Sequence, residues 1–529
     1  VSQAGQDFVA LASNLQSLKI SAGGLVSASG NTGADLPGNA QLLSRTSDLL
    51  NQASLDLQPV NAENLPPSVR PQFLDLKFKL DNARLAVSNL NQIFALGASL
   101  LAGDKTVLIL FENNNELRAD GGFMGTFGAL KLHDGQIKKL DVSSIYDLDG
   151  QLTDVIRPPQ PILNLSDRWY LRDANWFANF PDSARKITEF YEREGGETPD
   201  TIMVMTPDLI IDLLKIVGPI PMPKYGLTLT PDNFVEQTQV ATTLSSSLPT
   251  NTPKQILADL IPILLQKLSS LGPDAFTQIV QSLQNELNGK QVVLYSRDPD
   301  VQRQLQAFHW TGELENSDRD YLAVVSSNLG GTKTDLYIDQ QLNLTTTVAL
   351  DGTITDELDI TRTNKMPKLD QTNNLSYLRV YVPAGSKLLS NIGFDLKNLT
   401  YPPGEQYQTD DDVYAWEKDQ VTDVLTGTGI GQEGGKTFFG NWLNLEGGET
   451  RTVKLVYQLP VKLSAIDRYS LLLQKQIGSQ NSQVSWHLNF SGRSVAWKNF
   501  DPSQLQTDSL DYNLTLDRDY FAGLVLQKP

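Results

Sequence analysis

One stretch constrains this chain more than any other: Val107-Leu-Ile-Leu-Phe-Glu-Asn-Asn-Asn-Glu-Leu-Arg118-Ala-Asp-Gly-Gly-Phe123-Met-Gly-Thr-Phe-Gly-Ala-Leu130. It opens as a short apolar run suited to a buried strand and closes as a second strand carrying Gly125 and Gly128. Three asparagines, Glu116, Arg118 and a glycine pair lie between them. Two buried strands joined by so polar a loop place charged groups at a sheet edge, which is how sites are mounted on a rigid scaffold.

The organisation follows from what flanks this stretch. A chain of 529 residues exceeds one core, so about two to four domains are expected. Residues 1–102 read as a helical stalk or bundle. Phe8, Leu11, Leu15 and Leu18 mark one helix, Leu42 to Leu57 a second, and a third runs on from about Pro71. Residues 103–338 alternate between strands and helices. Strands are expected at 107–111, 123–130, 137–142, 201–205, 292–295 and 321–325. Helices are expected at 181–191, 207–217, 231–248 and 253–288. That alternation predicts an α/β core of the αβα sandwich kind. Residues 339–529 switch to a period of two, with a hairpin about Asp351-Gly352 and further strands at 377–382, 413–416, 450–459, 470–474 and 484–490. They predict a β-sandwich of immunoglobulin type without a cysteine bridge. The fold class is therefore multidomain α+β.

Composition excludes several functions. A net charge of −18 and a pI near 4.7 argue against a nucleic-acid partner, which needs a basic face. With no cysteine, disulfides, thiolate metal sites and cysteine nucleophiles are absent together. His133, His309 and His487 lie far apart in sequence, and no Gly-x-Ser-x-Gly nucleophile elbow occurs. No apolar run approaches the ~20 residues needed to span a bilayer. The chain starts at Val1, so the expectation is a signal or membrane anchor upstream of it.

Three stretches carry candidate chemistry. Arg118 could grip a phosphate in bidentate fashion, with the Gly121 and Gly122 N–H groups as further donors. An internal Arg–carboxylate pair pinning the loop explains the same residues equally well. In Arg168-Trp-Tyr-Leu-Arg172-Asp173-Ala-Asn-Trp176, Arg172 could take a phosphate and Asp173 a divalent cation, Mg2+ or Ca2+; a structural salt bridge under aromatic cover is the alternative. Asp147-Leu-Asp149-Gly150-Gln-Leu-Thr-Asp154 hints at calcium but lacks the glutamate and spacing of a calcium loop, which favours a solvated acidic loop.

Phe111-Glu-Asn-Asn-Asn-Glu-Leu-Arg118-Ala-Asp-Gly-Gly-Phe123 resembles the hallmark of the bacterial DUF 4012 family, a domain of unknown function. Arg172-Asp-Ala-Asn-Trp176 with Phe180-Pro-Asp-Ser-Ala184, and Thr201-Ile-Met-Val-Met-Thr-Pro-Asp208 with Val217-Gly-Pro-Ile220, resemble its next signatures. Trp310-Thr-Gly-Glu-Leu314, Asp320-Tyr-Leu-Ala-Val-Val325 and Asn328-Leu-Gly-Gly-Thr-Lys333 resemble a fourth. The resemblance implies an extracytoplasmic, membrane-anchored envelope protein whose core is similar to the LytR–CpsA–Psr ligases. Those ligases transfer lipid-pyrophosphate-linked glycopolymers to the cell wall, using arginines and aspartates to hold pyrophosphate and magnesium. By residue type the equivalents here are Arg118, Arg172 and Asp173.

Two functions are therefore expected to compete. One is a cell-surface protein that handles or anchors envelope glycopolymer, by binding a pyrophosphate lipid or as a metal-dependent phosphotransferase. The other is a non-enzymatic structural component of a surface lattice, appendage or adhesion assembly. Its partners would be neighbouring surface proteins or further copies of itself.

Overall fold

The computed structural model describes residues 36–163, 166, 168–238, 252–271, 273–369, 372–395, 407–464 and 466–527. The helix expected over Phe8–Leu18, and residues 239–248 of another, lie outside the described residues. The first described elements are α1 (Leu36–Leu57) and α2 (Arg70–Leu101), which form a helical hairpin. Leu50, Ala53 and Leu57 of α1 meet Leu80 and Val87 of α2. Pro71 sits in the first turn of α2, where its missing N–H would have had no helical partner.

A five-stranded sheet follows, built from β1 (Asp104–Asn113), β2 (Phe123–His133), β3 (Gln136–Ser144) and β4 (Thr201–Met205), with β7 (Val292–Ser296) at its edge. Its order is β3-β2-β1-β4-β7, and β1 with β4 is its one parallel pair. A small hairpin, β5 (Ile220–Met222) with β6 (Leu227–Leu229), branches off between β4 and β7. Alternation along β1 sends Leu108 and Leu110 to one face, Ile109 and Phe111 to the other. The first face is covered by α3 (Phe180–Arg193) and by the rings of Trp169, Trp176 and Phe177. The second packs on α4 (Pro207–Val217), α5 (Thr252–Ser269), α6 (Pro273–Asn288), α7 (Pro299–Ala307) and the last turns of α2.

Two larger sheets complete the molecule. Their strands are β8 (Asp320–Asn328), β9 (Ile338–Val348), β10 (Thr353–Asn364), β11 (Asn374–Pro383) and β12 (Lys387–Ile392). Next come β13 (Val421–Thr422), β14 (Gly429–Glu433), β15 (Lys436–Leu445), β16 (Thr450–Lys462) and β17 (Ile466–Gln474). The last are β18 (Ser482–Asn489), β19 (Ser494–Lys498), β20 (Gln504–Leu505), β21 (Ser509–Leu516) and β22 (Tyr520–Gln527). The orders are β12-β16-β10-β9-β18-β21-β20 and β13-β14-β15-β11-β8-β17-β22-β19. The sheets enclose one apolar core, fed by alternate residues such as Leu342, Leu344, Ile360, Leu378, Val380 and Trp486. Two pairs, β8 with β17 and β9 with β18, are parallel, unlike the all-antiparallel pairing of an immunoglobulin domain.

Two local expectations change. Tyr321–Val325 does not extend the first sheet; as part of β8 it lies inside the eight-stranded sheet, between β11 and β17. Val413–Trp416 is helical, within α8 (Asp411–Glu417). The Asp410 side chain accepts from the Asp412 and Val413 N–H groups at 3.1 and 3.0 Å, and this cap starts a helix where alternation suggested a strand. The outer face of the eight-stranded sheet packs on the first sheet's α3 side. Trp416 stacks on Phe438 at 5.3 Å and meets Trp176 edge-on at 5.5 Å there.

Candidate functional site

The hallmark loop is buried from Asn114 to Gly122. Its polar groups are met from the eight-stranded sheet and the segments next to it. Leu117 N donates to Asp335 Oδ2 at 3.1 Å, and Asn328 N donates to the Leu117 carbonyl at 2.8 Å. Gln476 Nε2 donates to the Arg118 carbonyl at 2.8 Å, and Leu336 N donates to Asn115 Oδ1 at 3.2 Å. Asn114 Nδ2 donates to the Gly478 carbonyl at 3.2 Å and to Asp208 Oδ2 on α4 at 3.1 Å. The loop is a polar weld between the two halves of the molecule, which accounts for much of its asparagine content.

Arg118, Arg172 and Asp173 do converge. Arg118 Nη2 lies 3.0 Å from Glu116 Oε1 and 3.9 Å from Asp173 Oδ1, while its Nη1 donates to the Asn328 carbonyl. Arg172 Nε lies 3.5 Å from Asp173 Oδ2, and its Nη1 lies 2.7 Å from Asp149 Oδ2. The result is a chain of alternating charge, Glu116–Arg118–Asp173–Arg172–Asp149, with Arg172 also over the Tyr170 ring at 4.1 Å. Burial holds the Glu116, Asp173 and Asp149 carboxyls above their ordinary values, and the neighbouring arginines offset only part of that rise. Both arginines thus already hold carboxylates. Asp149, expected in a solvated loop, is instead buried at the end of this chain, on a helical turn at Ile145–Asp149.

The expected phosphate cradle is occupied by the protein itself. Gly122 N donates to Glu112 Oε2 at 2.6 Å, and Gly121 N points to the Arg118 carbonyl at 3.4 Å. The glycines are needed for space: a Cβ on Gly121, at φ +146°, would stand 2.5 Å from Glu112 Oε2, and one on Gly122 would collide with the Asn113 backbone. Burial drives Glu112 and Asp120 well above the usual carboxylate range, and for Glu112 the nearby Asp120 adds to it. Asn175 Nδ2 bridges Glu112 Oε1 and the Gly122 carbonyl at 3.4 and 2.7 Å. Asp173 does not fit a magnesium or calcium ion, because its oxygens face two guanidinium groups. Among the described residues no group of three or more His, Asp or Glu is placed to hold a metal.

Beside this chain a pocket of about 500 Å³ opens at the carboxyl ends of β1 and β4, where α/β sheets commonly place ligands. Phe111, Met205, Ile210, Phe234, Val235 and Leu257 form its apolar wall. Its polar lining includes Glu112, Asn113, Glu116, Tyr146, Thr206 and Lys333. Glu116 links the pocket to the charge chain, and among the described residues Lys333 is the one lysine or arginine in the lining. Sequence reasoning missed Phe234 and had Lys333 only as the end of the Asn328–Lys333 signature, with no role. The only local signal for Lys333 was the Gly330-Gly331-Thr332-Lys333 turn after an apolar strand.

Residues 102–241 match the family described as protein of unknown function, DUF4012. That span takes in β1 to β6 and the whole hallmark loop. No curated protein matches the sequence. Among solved structures, a candidate nutrient binding protein of Legionella pneumophila is 8% identical with a TM-score of 0.20, over 36% of this chain and 67% of that one. An M1 zinc metallopeptidase of Deinococcus radiodurans is 12% identical with a TM-score of 0.17, over 36% of this chain and 42% of that one. This chain therefore spans about two fifths of the metallopeptidase, and likenesses so low carry no argument.

Proposed function

We propose that the protein is an extracytoplasmic envelope protein that handles or anchors cell-surface glycopolymer by seating the apolar tail of a lipid carrier in the β1/β4 pocket. The observation that carries this reading is the pocket's mixed lining: four aliphatic or sulfur side chains and the rings of Phe111, Phe123 and Phe234, together with Lys333 and Glu116. An amphiphile with an anionic head suits that lining, its tail on the apolar side chains and its head against Lys333. The layered first sheet, taken as a core like that of the LytR–CpsA–Psr ligases, belongs to the same proposal. Binding rather than phosphotransfer is favoured, because Arg118 and Arg172 already neutralise carboxylates and the oxygens of Asp173 face those two guanidinium groups rather than an open metal position.

The test is titration with a fluorescent polyprenyl phosphate. Saturable binding is expected, weakened by Lys333→Ala and blocked by Val235→Trp, which fills the pocket. Absence of binding, or binding indifferent to both changes, overturns the reading. A second reading, a structural surface component, is supported by the weld: the loop that looks like a site is spent on holding two layers together. Concentration-dependent assembly of the full chain, in the absence of lipid binding, would favour that second reading.

A further inference from the structure

A second cavity, of about 470 Å³, lies between the helical layer and the far end of the eight-stranded sheet. Among the described residues it shares no lining residue with the β1/β4 pocket. Its polar wall comprises Asn288, Lys290, His309, Glu315, Arg518 and Asp519. Lys290 and His309 are two of the three non-glycine residues with positive φ among those described, at +57° and +60°. Each stands just past a helix end, α6 and α7, where glycine would take the left-handed conformation at no steric cost. A side chain kept at such a position points to a use for that side chain. Here Lys290 reaches Asp519 and His309 reaches Glu315, both at 2.7 Å. Arg518 in turn is answered from just outside the wall, by Asp517 Oδ1 at 3.2 Å, so each charge in the wall has an opposite partner and the wall offers hydrogen-bonding groups.

The rim is aromatic. Phe521 of β22 lines the cavity and is 59% exposed; Trp497 of β19 is 57% exposed. Ala522, Leu524 and Leu526 turn into the sandwich core, so Phe521 and Val525 face outward, and Trp497 pairs in register with Val525 on that same face. Gly523 lies between them on the outward face, and a Cβ there would press on the Phe521 ring at 3.1 Å. The Phe521 ring lies against Gly523, which is buried, and Asn499 Oδ1 accepts from the Gly523 N–H at 2.7 Å beside it. Four residues of strand separate the two positions, ~13 Å at ~3.3 Å per residue.

We propose that this cleft and its rim bind a neutral, linear oligosaccharide. A sugar ring offers an apolar C–H face, which stacks on an exposed aromatic ring, and a belt of hydroxyls, which pair with planar amide, carboxylate and guanidinium groups. Phe521 and Trp497 are too far apart for one sugar and suitably placed for several in a row. The paired charges of the wall and the net charge of −18 select against acidic sugars. The inference uses no residue of the lipid-carrier pocket and stands whether or not that reading holds.

Trp497 provides the readout, because Trp169, Trp176, Trp310, Trp416, Trp442 and Trp486 are all buried. The full chain is titrated with cellotetraose, chitotetraose and maltotetraose, followed by tryptophan emission, acrylamide quenching and calorimetry. The expected result is a blue shift and protection from quenching with at least one of them, with matching heat. Phe521→Ala weakens that binding about tenfold. Trp497→Ala removes the emission change and lowers the calorimetric affinity, while Lys333→Ala leaves both untouched. Silence with all three sugars, or binding indifferent to both aromatic changes, overturns the proposal. Binding of a sulfated tetrasaccharide in preference to the neutral ones overturns its charge argument. Failure of polyprenyl phosphate binding alone leaves it standing.

Discussion

The two faces of the first sheet are built from alternate residues of the same strands, yet they are finished differently. One face meets aromatic rings, paired charges and the eight-stranded sheet. The other meets aliphatic helix faces and keeps an open pocket. The difference lies in what each partner can offer. Strand ends and connections such as Asn328, Asp335 and Gln476 present fixed backbone and amide groups, so the backbone groups of a polar loop can be met there. Helices have spent their backbone bonds internally and offer side chains alone, so their face is filled by shape, and imperfect filling leaves a cavity.

That contrast can be broken by substitution, most severely at Arg118. Arg118→Ala strands Glu116 and Asp173 in a buried setting and is expected to cost about 3–5 kcal/mol in urea unfolding. A loss below about 1 kcal/mol would mean that this face is not welded. Next comes Glu433, which accepts from Ala178 N at 2.5 Å, Asn179 N at 3.1 Å, Tyr381 Oη at 2.6 Å and Trp416 Nε1 at 3.0 Å. Glu433→Gln is expected to cost about 2–3 kcal/mol, since it replaces charged acceptance with neutral and adds an unwanted donor.

The third expectation concerns pH. Burial, reinforced by Asp149, pushes Glu194 up to about 8. An acid raised on folding holds its proton in the native state where the unfolded chain has released it. Its contribution is intact below the unfolded value of ~4.3 and is lost as pH rises toward about 8. Stability should fall by about 1 kcal/mol per pH unit between roughly pH 5 and 7, and Glu194→Gln should flatten that slope. An unchanged slope would place the proton elsewhere. The smallest effect belongs to the pocket face: exposed Lys333→Ala should shift stability by less than about 0.5 kcal/mol, so any loss of lipid binding there is a loss of contact and not of fold.

Local pattern revealed much of this molecule. The strands at 107–111, 123–130 and 201–205, the helix stopped by Gly218-Pro219 and the Asp351-Gly352 hairpin all stand where apolar period and turn residues put them. What pattern cannot say is which sheet a strand joins. All nine residues of β8 are buried, so nothing in their order distinguishes a place beside β7 from a place beside β11. The candidate site was legible as residues but not as roles. Arg118, Arg172 and Asp173 meet, and their carboxylate partners Glu116 and Asp149 lie only 2 and 23 residues away, as an internal Arg–carboxylate pairing requires, but the groups that hold the rest of Arg118 lie far along the chain. The Arg118 carbonyl is held by Gln476, 358 residues on, and its guanidinium by Asn328, 210 residues on. Lys290 and His309 gave no signal either, because a left-handed backbone at lysine or histidine has no sequence mark.

The position of β8 also sets the order in which this chain can be assembled. Its Tyr321 hydroxyl meets Gln474 Oε1 at 2.5 Å across 153 residues, so the central pairing of the sheet waits for almost the whole polypeptide. Closing so long a loop is slow, and until β17 arrives one edge of β8 has no strand to pair with. A fragment cut between residues 338 and 339 would be short of its central strand and should aggregate. One beginning before Asp320 keeps that strand, and should refold on its own with rates limited by that single distant closure.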